Sequence, residues 1–129
     1  MTAQVVDIDE QVRDGNPLDI ISWDWACTEA GVVAGSITVE TYDGIVLGFE
    51  MIPDGGGDTP TAAYTATVKD GNGVDVLHGL GVGSATATAT VSKVFGDGLG
   101  FVITSRLTLA IAAAGDAKKG VLNLYIGKP

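Results

Sequence analysis

Two apolar runs, GFVITSRLTLAIAAAG at residues 100–115 and GVLNLYIG at residues 120–127, decide how this chain is read. In the first, Leu107, Leu109 and Ile111 alternate with Thr108, Ala110 and Ala112. In the second, Leu122, Leu124 and Ile126 alternate with Val121, Asn123 and Tyr125. A period of two puts one set on each face of a strand, so each run has a face to bury. Only Asp116 to Lys119 lie between the runs, and this spacing predicts an antiparallel C-terminal hairpin.

The same period recurs toward the N-terminus. TAAYTATVK at 61–69 sets Tyr64, Ala66 and Val68 against Thr65, Thr67 and Lys69. Asp70-Gly71-Asn72-Gly73 reads as a turn and 74–77 as a short strand. SITVETY at 36–42 and IVLGFEMIP at 45–53 flank Asp43-Gly44, a strong hairpin signal, and DGGGDTP at 54–60 reads as an exposed loop. In LDIISWDWAC at 18–27, Ile21, Trp23, Trp25 and Cys27 share a face. SATATATVSKVF at 84–95 fits a strand, although Ala85, Thr88, Val91 and Phe95 also stand at helical spacing. Residues 1–17 are polar and acidic and end in Gly15-Asn16-Pro17; they suggest an arm, or a short helix with Val5, Ile8 and Val12 on one face.

Seven or eight short strands and no long amphipathic helix predict an all-β fold. The form expected is an antiparallel two-sheet sandwich, with a small closed β-barrel as the alternative. One domain over 18–129 would follow an acidic arm over 1–17.

The 129 residues carry 16 Asp plus Glu against 7 Lys plus Arg, a net charge of -9. Such a balance argues against nucleic acid as partner, because phosphate contacts need clustered cations. No stretch is long enough for a transmembrane helix, so no membrane partner is expected, and the N-terminus lacks a signal-peptide pattern. Cys27 is single and reads as a small buried hydrophobe. His78, also single, reads as a loop residue and supplies no multi-histidine metal site.

Asp70, Asn72 and Asp75 in DGNGVD offer the oxygen ligands of a weak calcium turn. An EF-hand would need a glutamate at the twelfth position from Asp70, where Gly81 stands, so the plain reading is a hydrogen-bonded turn. Asp24, Glu29, Asp43, Glu50, Asp54 and Asp58 could pair as glycosidase carboxylates, but most sit beside turns and read as solvated surface. Neither a GxGxxG nor a phosphate-loop pattern is present. No enzyme, cofactor or metal is expected. Trp23 and Trp25 read first as core anchors; with Asp7, Asp9, Glu10 and Asp14 they are also candidates for subunit or particle contacts. A carbohydrate- or receptor-binding module using Tyr42, Tyr64 or Trp25, flanked by Asp54 or Asp58, is the rival reading.

IISWDW (20–25), TYDGIVLGFEMIPDGG (41–56), PTAAYTATVKDGNGVDVLHGLG (60–81) and GLGFVITSRLTLAIAAAGDAKKGVLNLYIG (98–127) together resemble small virion structural proteins of tailed bacteriophages, of the head-decoration kind. The resemblance lies in layout and turn chemistry. It implies a β-rich, non-enzymatic capsid decoration protein that binds the major capsid or another virion protein as a homo-oligomer, with a trimer favoured. A tail component is the other place in the particle that it implies.

Overall fold

A computed structural model describes residues 3–12, 17–77, 79–81, 90–94 and 102–127. Nine strands are present among them: β1 (Val5–Gln11), β2 (Leu18–Ala26), β3 (Val33–Ile37), β4 (Gly44–Pro53), β5 (Thr65–Lys69), β6 (Val91–Val94), β7 (Val102–Ile103), β8 (Thr108–Ala112) and β9 (Lys119–Gly127). They build two antiparallel sheets. The larger has the order β1-β2-β9-β4-β6, with β7 also on β4, and the smaller runs β3-β8-β5. Neither sheet closes into a barrel, so the sandwich is the form adopted.

The alternating patterns place the core between the sheets. Ile21, Trp23 and Trp25 of β2, Leu122, Leu124 and Ile126 of β9, and Phe49 and Met51 of β4 are buried against Val33, Ala66, Val68, Leu109 and Ile111 of the smaller sheet. Trp25 meets Tyr64 edge to face, with ring centroids 5.4 Å apart, a favoured aromatic geometry. Its ring lies over Gly120, where an added Cβ would stand 2.7 Å from the ring's Cζ2. Only glycine leaves room there for the indole. In β4 the register shifts between Val46 and Gly48. This bulge resets the parity, so Val46, Phe49 and Met51 all point inward while Ile45, Leu47, Glu50 and Ile52 are at least partly exposed.

From β2 to β6 the chain changes sheet at every connection, and it does so again from β7 to β8 and from β8 to β9. This corrects three hairpin-level expectations. The two C-terminal runs do not pair: β8 is the middle strand of the smaller sheet and β9 lies between β2 and β4 in the larger. Asp43-Gly44 is not a hairpin turn either, because β3 pairs with β8 while β4 pairs with β9, β6 and β7. Residues 74–77 add only a single bridge, Lys69 to Asp75. The strand expected at 36–42 begins earlier, at Val33, and ends at Ile37. Within 84–95, Val91–Val94 is a strand; Ser84 to Ala89 and Phe95 lie outside the described residues.

The N-terminal segment is also corrected, from arm or helix to strand. β1 pairs with β2 along its whole length, from Val5 opposite Ala26 to Gln11 opposite Ile20. Two side chains of this segment then bond to β3 and to the connection between β3 and β4. The Gln4 amide, just before β1, donates to the Ala34 carbonyl at 3.1 Å and accepts from the Ala34 N–H at 2.7 Å. The Glu10 carboxylate accepts from the N–H groups of Val39 and Glu40 at 3.0 and 3.1 Å and from the Tyr42 hydroxyl at 2.7 Å. One open side of the sandwich is thereby laced shut. On the other, the edge of β5 is covered by the segment after it, through Val76 N–H to Val68 carbonyl (2.7 Å) and Ala66 N–H to Gly81 carbonyl (2.8 Å).

Candidate functional site

The outward face of the larger sheet has no layer against it among the described residues. Its centre is a polar row that crosses all five strands of the sheet path. Asp9 of β1 stands opposite Ser22, Ser22 opposite Asn123, Asn123 opposite Glu50, and Glu50 opposite Ser92. Ser22 Oγ donates to Asn123 Oδ1 at 2.6 Å. The Asn123 side chain bonds in turn to the Tyr125 hydroxyl, which donates to Glu50 Oε1. The bond to Glu50 is the main cause holding the Tyr125 phenol above its usual pKa, with burial second, against a smaller lowering by Asn123. Tyr125 is therefore a fixed neutral donor, not a base. The row offers aligned donors and acceptors across the sheet.

An apolar depression borders the row on one side, lined by Leu18, Leu47, Phe49 and Tyr125. Next to it the cross-strand pair Ile45 and Val102 stands out, 46% and 67% exposed, with Leu47 at 42%. Apolar side chains this open, gathered at one end of a sheet, are the kind of patch that other surfaces cover. On the far side of the row is a second open depression of about 540 Å³, lined by Asp7, Asp24, Asp54 and Lys119 around Ile52 and Val121.

The candidate residues read from sequence distribute as follows. Asp7 and Asp9 lie on this outward face, exposed. Glu10 points the other way, into the lacing described above. Trp23 and Trp25 are 0% and 1% exposed, so the structure corrects their role as direct contact residues: they are core. Asp14 and His78 lie outside the described residues. Tyr42 and Tyr64 are buried with Trp25, which removes the aromatic platform of the carbohydrate reading. Tyr42 is pushed up in pKa by burial and then by its bond to Glu10; burial alone pushes Tyr64 up to about 12.

The turn at 70–75 spends its carboxylates on the backbone. Asp70 Oδ1 accepts from the N–H of Asn72 (2.9 Å) and Val74 (3.0 Å). Asp75 accepts from Val68 (3.2 Å), Leu77 (3.1 Å) and Gly79 (3.0 Å). These are turn and edge caps. Among the described residues no three His, Cys, Asp or Glu side chains gather as a metal site. Cys27 is buried, donates to the Gly115 carbonyl and accepts from the Lys118 N–H, both at 3.2 Å.

Of the polar row, the sequence reading named Asp9 as a contact candidate and Glu50 as a candidate carboxylate, but not their assembly into a row, and it gave Ser22, Asn123, Ser92 and Tyr125 no role. The only signal for Asn123 and Tyr125 was the minor half of the β9 alternation, whose neighbours come from strands far away in sequence. Set against protein families, curated proteins and solved structures, the chain matches none.

Proposed function

We propose that this protein is a non-enzymatic coat component of a phage particle, a capsid decoration protein that seats the outward face of its larger sheet on the head shell. The observation that carries the reading is that face itself: a broad sheet surface with a fixed polar row, an apolar end at Ile45, Leu47 and Val102, and nothing laid over it among the described residues. The resemblance noted from sequence supports the same class. It also favours a homotrimer acting in the virion, where small identical contacts add up around a symmetry axis. The partner is then the major capsid protein.

The test is co-sedimentation of purified protein with head shells, and separately with tails, assembled without it. Wild-type protein is expected to sediment with shells, and Leu47→Asp, which sets a charge in the apolar end, to stay in the supernatant while remaining folded. Sedimentation with tails alone would move the protein to the tail; sedimentation with neither would overturn the coat reading.

A further inference from the structure

We infer that the bare edge of β1 is where a partner protein docks, by adding one of its own extended segments to the larger sheet as a further strand. The inference deepens the coat reading and rests on it for which protein supplies the strand. The Cys27 N–H bonds to the Lys118 carbonyl at 2.9 Å. Main-chain groups alternate in direction along a strand, so Trp25, Trp23 and Ile21 also turn theirs to β9, and Ala26, Asp24, Ser22 and Ile20 turn theirs to β1. The β1 residues opposite that second set are Val5, Asp7, Asp9 and Gln11. Val6, Ile8 and Glu10 therefore hold their N–H and C=O groups toward the other side of β1. No strand pairs there, and no main-chain bond is made there among the described residues. The lacing of this segment uses the Gln4 and Glu10 side chains and leaves that main chain bare.

The other edges are treated differently. Beside β3, the Ala34 N–H and C=O are both taken by Gln4; beside β5, Val68 and Ala66 are bonded to Val76 and Gly81. At the opposite margin of the larger sheet, β6 and β7 are four and two residues long, against seven for β1. β1 pairs without a register shift and contains no proline, so it lacks the bulge or break that commonly guards an edge. Its side chains select the occupant. A second copy of β1, docked antiparallel with Ile8 opposite Ile8, would set Asp7 of each copy against Asp9 of the other on the outward face, which disfavours it. A partner strand with lysine or arginine on that face meets Asp7 and Asp9 with opposite charge. Its alternate, apolar residues then stand beside Val6 and Ile8, which pack against the core. Main-chain bonds supply the attachment in this mode of recognition, and the alternating side chains supply the choice of partner.

The probe is a synthetic peptide alternating lysine with valine, added to the whole protein and read by amide hydrogen exchange residue by residue, with a glutamate–valine peptide as counterpart. The lysine peptide is expected to slow exchange at Val6, Ile8 and Glu10 roughly tenfold or more, and to change Asp7 and Asp9, already bonded to β2, far less. That alternation is the signature of an added strand. Asp7→Lys with Asp9→Lys should reverse the choice, so that the glutamate peptide binds and the lysine peptide does not. Val6→Pro removes one open-side donor without breaking the ladder to β2, and should weaken lysine-peptide binding roughly tenfold at unchanged charge. Absence of lysine-peptide binding, slowing spread evenly over residues 5–11, or an unchanged choice of peptide in the charge-reversed protein overturns the inference. Slowing of the same three groups in the free protein as its concentration rises would give the edge to a second copy, and overturns it too. Failure here with wild-type protein still sedimenting on head shells leaves the coat reading standing. Alternating protection in a protein that sediments with neither shells nor tails leaves the docking edge standing without that reading.

Discussion

Tyr42, Tyr64 and Tyr125 keep their phenols protonated by different means: burial followed by the Glu10 bond, burial alone, and the Glu50 bond. All three folded pKa values are raised above the value of about 10 for an unfolded tyrosine. The unfolded chain therefore loses these protons first as pH rises, and the native state holds more of them. Stability from these groups is complete below about pH 10 and is lost above it; for Tyr64 the loss runs from there to about 12. Denaturant midpoints measured between neutral and strongly alkaline pH should be level up to that point and then fall. Phenolate absorbance of the folded protein should lag behind that of the unfolded chain. A flat midpoint, or phenolate appearing in step in the two states, would show that these hydroxyls are not held as described. Residue-scale burial was legible where alternation was strong: Ile21, Trp23 and Trp25, or Leu122, Leu124 and Ile126, share their buried faces as the period of two requires. Tyr125 was not singled out, because periodicity separates two faces without saying what either one meets.

At the scale of elements, β1 departs most from expectation. Its sequence, VVDIDEQ, alternates apolar or long polar residues with acids and is too short and polar to announce a strand. What fixes it is tertiary: pairing with β2, and the Gln4 and Glu10 side chains laced to Ala34, Val39, Glu40 and Tyr42. Glu10→Ala should destabilise the protein by about 2–3 kcal/mol, since three donors lose a charged acceptor. Tyr42→Phe should cost about 1–2 kcal/mol, and the two changes together less than their sum. Thermal or denaturant melts of the single and double variants give the cycle; strictly additive losses would contradict the bond. The failed hairpins have a related cause. A glycine-containing turn between two alternating runs serves equally for a hairpin within a sheet and for an arch between sheets. Asp43-Gly44 and the 113–118 segment are of the second kind, and only the partners of β4, β8 and β9 decide it.

For the whole molecule, the fold class followed from many one-sided strands, whereas the outward face did not. Asp9, Ser22, Asn123, Glu50 and Ser92 come from five strands whose order in the sheet is not their order in the chain. The bulge before Gly48 also turns Glu50 and Leu47 to the same side. No local pattern encodes that assembly. The central proposal is that this face, and not the outward face of the smaller sheet, is the one a partner covers. The most direct measurement is thiol labelling of Leu47→Cys and Lys69→Cys proteins, free and bound to head shells, with buried Cys27 as a silent background. Leu47→Cys is predicted to label readily when free and to be protected on the shell, while Lys69→Cys labels in both. Protection of Lys69→Cys with Leu47→Cys still open would contradict the account.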